Sequence, residues 1–140
     1  MNRLSNPRGL AVDSSGAVYV FDWGSRRIRQ WNPATGTVES VVDGMTFPDT
    51  NGFEESNPRG LTVDESGFFY VRIARGVVRF SPSNSVGTIV AGGNDQGRGP
   101  GELDGPASVL ADPLGNLVIA DSGNFRIQVW GPTATETIGL

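Results

Sequence analysis

Residues Pro106–Trp130 read PASVLADPLGNLVIADSGNFRIQVW: a short apolar strand closed by Asp112, a Gly115 turn, a second apolar strand closed by Asp121, a brief loop, then Arg126-Ile127 and an aromatic. The same plan stands upstream as PRGLAVDSSGAVYVFDWGSRRIRQW at Pro7–Trp31 and as PRGLTVDESGFFYVRIARGVVRF at Pro58–Phe80. Asp13, Asp64 and Asp112 fall in register 51 and then 48 residues apart, and Gly16, Gly67 and Gly115 follow them. Self-similarity at such a period marks a repeat architecture, in which each unit hides its apolar faces against its neighbours.

Each unit predicts four antiparallel strands. In the first they are Leu10–Val12, Ala17–Phe21, Arg27–Trp31 and Thr37–Val42, separated by Asp-Ser-Ser-Gly, a Gly-Ser loop and Asn-Pro-Ala-Thr-Gly. Val18 and Val20 face one side of the second strand while Tyr19 and Phe21 face the other, the pattern of a strand buried on both faces. The second unit predicts Leu61–Asp64, Phe68–Arg72, Val77–Phe80 and Gly87–Ala91, with a middle loop two residues shorter. The third predicts Val109–Ala111, Leu117–Ala120, Arg126–Trp130 and a last strand near Glu136–Leu140. Gly or Pro interrupts every window that would otherwise sustain a helical period. The expectation is an all-β chain of three four-stranded antiparallel sheets, spanning about residues 5–44, 56–93 and 104–140. The segments between them, Asp43–Asn57 and Gly92–Pro106, read as polar surface crossings.

Composition narrows the chemistry. All 11 basic residues of the 140-residue chain are Arg, and His and Cys are absent. This excludes Schiff-base lysines, histidine bases, thiolate nucleophiles and most zinc or copper sites within the chain. A formal net charge of −4 opposes nucleic acid and anionic membrane, and no apolar run reaches spanning length. The opening MNRLSNPRGL carries no apolar core of signal-peptide length. Localisation is left open.

These residues resemble the NHL-repeat family. The resemblance rests on Pro-X-Gly-Leu before the first strand, the Asp-X-X-Gly turn and, above all, IADSGNFRIQVW at Ile119–Trp130. Asn124-Phe125-Arg126 occupies the place of the Asn-His-Leu that names the family, with Phe for the usual His. Ser25-Arg26-Arg27 stands there in the first unit, and in the second the loop has shrunk to Ala74-Arg75-Gly76. The resemblance implies β-propeller blades, usually six to a ring, so three blades imply an open half-propeller. Each uncovered end face would measure roughly 300 Å² in projection, a size that marks an interface. The implied function is a non-catalytic module of protein–protein interaction or assembly, completed by partner blades from a second copy or another propeller-repeat chain. The alternatives are part of a propeller enzyme with calcium at its axis, or an RNA-binding propeller.

Candidate residues follow. Asp22 with Arg27, and Asp121 with Arg126, sit five apart across the loop between second and third strands and predict recurring ion pairs or loop clasps. The second unit has Ile73 and Gly76 there, which predicts the loosest loop. The hexapeptide SNPRGL occurs at both Ser5–Leu10 and Ser56–Leu61, placing Arg8 and Arg59 near the mouth of an axial channel. There they would suit a carboxylate or phosphate, or pair with neighbouring acids. Trp23, Arg26 and Phe125 project from the loops as interface anchors or as packing on the adjoining linker. Asn94-Asp95 and Glu102-Asp104 are oxygen ligands enough to raise calcium, but without the spacing of a calcium loop, and no cofactor is expected.

Overall fold

The computed structural model describes residues 3–48, 58–93, 97–99 and 101–131, and the strand at 135–138. Asn94-Asp95, Ser56-Asn57 and the Gly139-Leu140 end of the last expected strand lie outside the described residues. Among the described residues, twelve strands form three separate four-stranded sheets, each an antiparallel meander in sequence order. Blade 1 holds β1 (Pro7–Val12), β2 (Val18–Asp22), β3 (Arg27–Asn32) and β4 (Thr37–Asp43). Blade 2 holds β5 (Arg59–Val63), β6 (Phe69–Ile73), β7 (Gly76–Ser81) and β8 (Asn84–Gly92). Blade 3 holds β9 (Ser108–Ala111), β10 (Leu117–Asp121), β11 (Arg126–Trp130) and β12 (Thr135–Ile138). The sheets stack side by side as an open set of propeller blades.

The recurring Asp is the device that makes each β-hairpin tight. Asp13 Oδ1 accepts from the Ser15 and Ala17 amides at 2.9 and 3.0 Å while Oδ2 accepts from the Tyr19 hydroxyl at 3.0 Å. Asp64 repeats this with Ser66, Phe68 and Tyr70, and Asp112 with Leu114 and both nitrogens of Asn116. An Asp side chain that bonds amides two and four residues on replaces the backbone pairing the turn gives up. Gly16, Gly67 and Gly115 close these turns at φ of +87°, +85° and +84°, a conformation that a side chain resists.

Two apolar seams hold the blades together. Between blades 1 and 2, Phe21 and Ile28 meet Leu61, Phe69, Val71 and Phe80. Between blades 2 and 3, Tyr70, Val77 and Ala91 meet Leu103, Leu117 and Ile119. Each seam also takes a residue from a linker, which corrects the reading of both linkers as surface crossings. Met45 is 0% exposed, and Phe47 stacks edge-on against Phe80 at 5.1 Å. Leu103, in the Gly-rich second linker, is 1% exposed. Such wedges fill the space between adjoining blades.

The shortened loop of blade 2 is not slack. Ala74 and Arg75 make a tight turn whose carbonyls accept from the Gly105 and Gly93 amides at 3.1 and 2.8 Å, so the next linker holds it in place.

Candidate functional site

Asp22 and Asp121, the last residues of β2 and β10, are both 0% exposed. Each secures the chain that enters its blade. Asp22 Oδ1 accepts from the Ser5 and Asn6 amides at 3.0 and 2.7 Å, and Oδ2 accepts from the Ser25 hydroxyl. Asp121 accepts from the Asp104 amide at 2.7 Å, Asn124 Nδ2 at 2.9 Å and Arg126 Nε at 2.8 Å. Arg126 also donates to the carbonyls of Arg98, Gly99 and Glu102, drawing the linker over the loop.

The expected Asp22–Arg27 pair is not formed. Arg27 lies across from both Asp22 and Asp43 in the sheet and turns to Asp43, at 2.6 Å. The Asp22 carboxylate is already occupied by backbone amides and Ser25, which leaves Arg27 the exposed acid on β4.

Burial pushes the Asp22 carboxyl upward, but donors from Ser25, Asn6 and Ser5 and the Arg29 charge outweigh it and hold it below the ordinary 3.8. Hydrogen bonds, chiefly from Ser15 and from Asn116, likewise lower Asp13 and Asp112. A carboxyl depressed in the folded state stabilises the fold above its unfolded value, and that stability is lost as pH falls through the folded value. Stability measured by urea unfolding is therefore expected to hold near neutral pH and to drop below about pH 4. Unchanged stability down to pH 3 would contradict these roles.

Arg8 and Arg26 flank the Trp23 ring, their guanidinium carbons 5.8 and 5.0 Å from its centre. Trp23 also packs on Phe47, 5.6 Å between rings, so it belongs to the linker contact as much as to the surface. Arg59 sits opposite Arg72 across blade 2, and burial together with the Arg59 charge lowers the Arg72 pKa. Phe125, on the corresponding loop of blade 3, is 80% exposed in a left-handed conformation, φ 55°. Arg26 has the equivalent φ of 52°. Among the described residues no group of three or more acids is placed to hold a metal ion; Glu102 instead accepts from the Gly99 amide at 2.7 Å.

The larger feature lies on the two end faces. Blade 1 packs on blade 2 through one face, leaving the face with Leu10, Val12, Val18 and Trp31 outward; Val20, on the same face, is buried. The equivalent residues of blade 2, including Leu61, Phe69 and Phe80, form the first seam; those of blade 3, including Leu117, Ile119 and Trp130, face the second. Leu61 and Phe80 are 8% and 1% exposed, whereas Leu10 and Trp31 are 69% and 40% exposed. The opposite end shows the complement. Leu110 and Ile127 of blade 3 are 63% and 38% exposed, while Ile28, equivalent to Ile127, is 0% exposed.

Sequence reading missed Arg29, whose side chain is 8% exposed on β3. The signal was available in the repeat register, where Val78 and Gln128 occupy the same place, so an Arg there is the odd member.

The NHL repeat matches residues 103–130. The chain is 26% identical to NHL repeat-containing protein 3 of Mus musculus, over 97% of this chain and 42% of that one. The Homo sapiens protein of the same name gives 25% identity over the same shares, so the chain spans about 42% of the length of these relatives. Among solved structures it is similar to a streptogramin B lyase, with a TM-score of 0.60 at 14% identity over 97% of this chain and 41% of that one. A chain of a nidogen–laminin complex gives a TM-score of 0.65 at 20% identity, over 98% of this chain and 49% of that one. At such identities these likenesses show the fold alone.

Proposed function

Starting from the premise that this chain is an NHL-repeat protein, three blades of an open propeller, we propose that it is a non-catalytic assembly module. Its two end faces are the working surfaces, and the partner is a second copy of the chain. The observation that carries this reading is the repetition of the first seam's face on the open side of blade 1. Leu10, Val18 and Trp31 stand where Leu61, Phe69 and Phe80 are sealed by the preceding blade. The outward face of blade 3 presents Leu110, Val118 and Ile127 in the places through which blade 1 covers blade 2. Head-to-tail contact made twice closes into a two-fold ring with no free end, whereas a single such contact leaves apolar surface in water.

The fold is shared with lyase and gluconolactonase structures, and a shared fold by itself carries no activity. Trp31→Glu tests the docking reading. Placed at a half-exposed position, it is expected to weaken self-association at least about tenfold by sedimentation, since a carboxylate would be desolvated in the contact. The thermal midpoint of the dilute chain should hardly move. Unchanged self-association would remove the blade 1 face from the interface.

A further inference from the structure

Arg29 is a buried cation whose bonding is incomplete. Nη1 donates to the Arg3 carbonyl at 3.4 Å, Nη2 lies 3.9 Å from Asp22 Oδ2, and Nε has no hydrogen-bond partner among the described residues. The second distance is beyond a hydrogen bond, and Asp22 already accepts from two amides and the Ser25 hydroxyl. A guanidinium buried with an idle donor is unstable unless an acceptor arrives.

The surroundings say what that acceptor is. Arg29 lines a cavity of about 420 Å³ together with Arg3, Leu4, Ser5 and Arg27. Arg27 is neutralised by Asp43, and Asp22 offsets one more charge, so three guanidinium groups against two carboxylates leave a single positive charge. A monoanion balances it; a phosphate dianion overshoots. Planar guanidinium edges match a carboxylate through paired N–H donors. Arg27 and Arg29 alternate with the inward Ile28 along β3, which puts both on the sheet face that carries Val18, Val20 and Trp31. The cavity's Leu4 corresponds to Leu103, which is sealed at the blade 2–3 seam.

We infer that this cavity is a carboxylate site, filled by an acidic side chain of the chain that covers the open face of blade 1. The inference rests on the docking reading and deepens it. Apolar contact at Leu10 and Trp31 supplies attraction, while Arg29 supplies register: a covering blade without an acid there would bury an uncompensated charge. Blades 2 and 3 fill the same position with neutral Val78 and Gln128, so the charge distinguishes the open face from the internal seams.

The test uses the full chain with acetate as probe, against chloride at equal ionic strength and against inorganic phosphate. The Nε–H signal of Arg29, assigned by its loss in Arg29→Gln, is followed by nitrogen–proton correlation spectroscopy. Gln is the residue blade 3 carries at this place, so the fold is kept. Acetate is expected to shift the signal saturably, phosphate more weakly, and chloride not at all. A signal unmoved by acetate, or moved equally by chloride, overturns the site. Self-association is then measured with the site saturated by acetate. A several-fold weakening supports a docked acidic side chain, and unchanged association overturns that source in favour of a free small carboxylate. A chain that does not associate at all overturns the docking reading and the docked source with it, while the acetate shift still decides the site.

Discussion

Asp121→Ala is expected to lower the unfolding free energy by about 3–5 kcal/mol, the cost of breaking a buried charge pair by removing one partner. Asp121 is 0% exposed and gathers donors from Asp104, Asn124 and Arg126, the last with a side chain only 12% exposed. Truncation leaves the Asp104 amide without an acceptor and Arg126 without its counter-charge. The damage extends beyond the loop. The residue before Asp104 is Leu103, the wedge of the blade 2–3 seam, so slackening the linker also opens apolar packing. Urea unfolding reads the loss directly. Asp121→Asn retains one acceptor oxygen and should cost less, about 1–3 kcal/mol. A loss of under about 1 kcal/mol for Asp121→Ala would place the pair with surface ion pairs of little consequence.

Gly9→Ala is expected to cost about 1–3 kcal/mol or more, through overpacking at the contact of the inner strands. A Cβ at Gly9 would stand 2.5 Å from the Gly60 carbonyl carbon and 2.8 Å from both the Gly60 oxygen and the Leu61 nitrogen. All three atoms are backbone, so none can swing aside; β1 and β5 must part. Gly16→Ala provides the contrast. No atom beyond its own chain neighbours lies within 4 Å of its added methyl, and its φ of +87° confines the penalty to the local turn. Hydrogen exchange should show protection lost in both β1 and β5 for Gly9→Ala, and only around the first hairpin for Gly16→Ala. Equal protection in the parent chain and Gly9→Ala would mean that the strands do not approach as described.

The fold was legible because its signals are local and repeated. An Asp-X-X-Gly turn states where two strands meet, and three such turns in register state how many blades there are. The hexapeptide shared by Ser5–Leu10 and Ser56–Leu61 placed Gly9 and Gly60 at equivalent points without revealing that their backbones touch. What escaped were single residues acting through tertiary context. Met45, Phe47 and Leu103 stand alone in polar, Gly-bearing segments, where neither a period of two nor one of 3.6 can form. The Asp22–Arg27 expectation failed because five-residue spacing cannot report that the backbone has saturated one carboxylate while Asp43 approaches from the other side. Asp121 and Arg126, with the same spacing, do meet, because Arg126 also reaches the carbonyls of the entering linker. Arg29 differs again: its significance lies in having less bonding than its burial demands.

Under the proposed docking the end faces bear on stability as well as on assembly. If they are covered by association, the thermal midpoint rises with protein concentration, as it does whenever the folded state binds and the unfolded state does not. The most direct measurement is the solution mass of the chain by sedimentation across a wide concentration range. A discrete dimer that dissociates on dilution is the predicted result, two sets of three blades closing one ring. A monomer at every concentration, melting cooperatively at a midpoint independent of concentration, would contradict it.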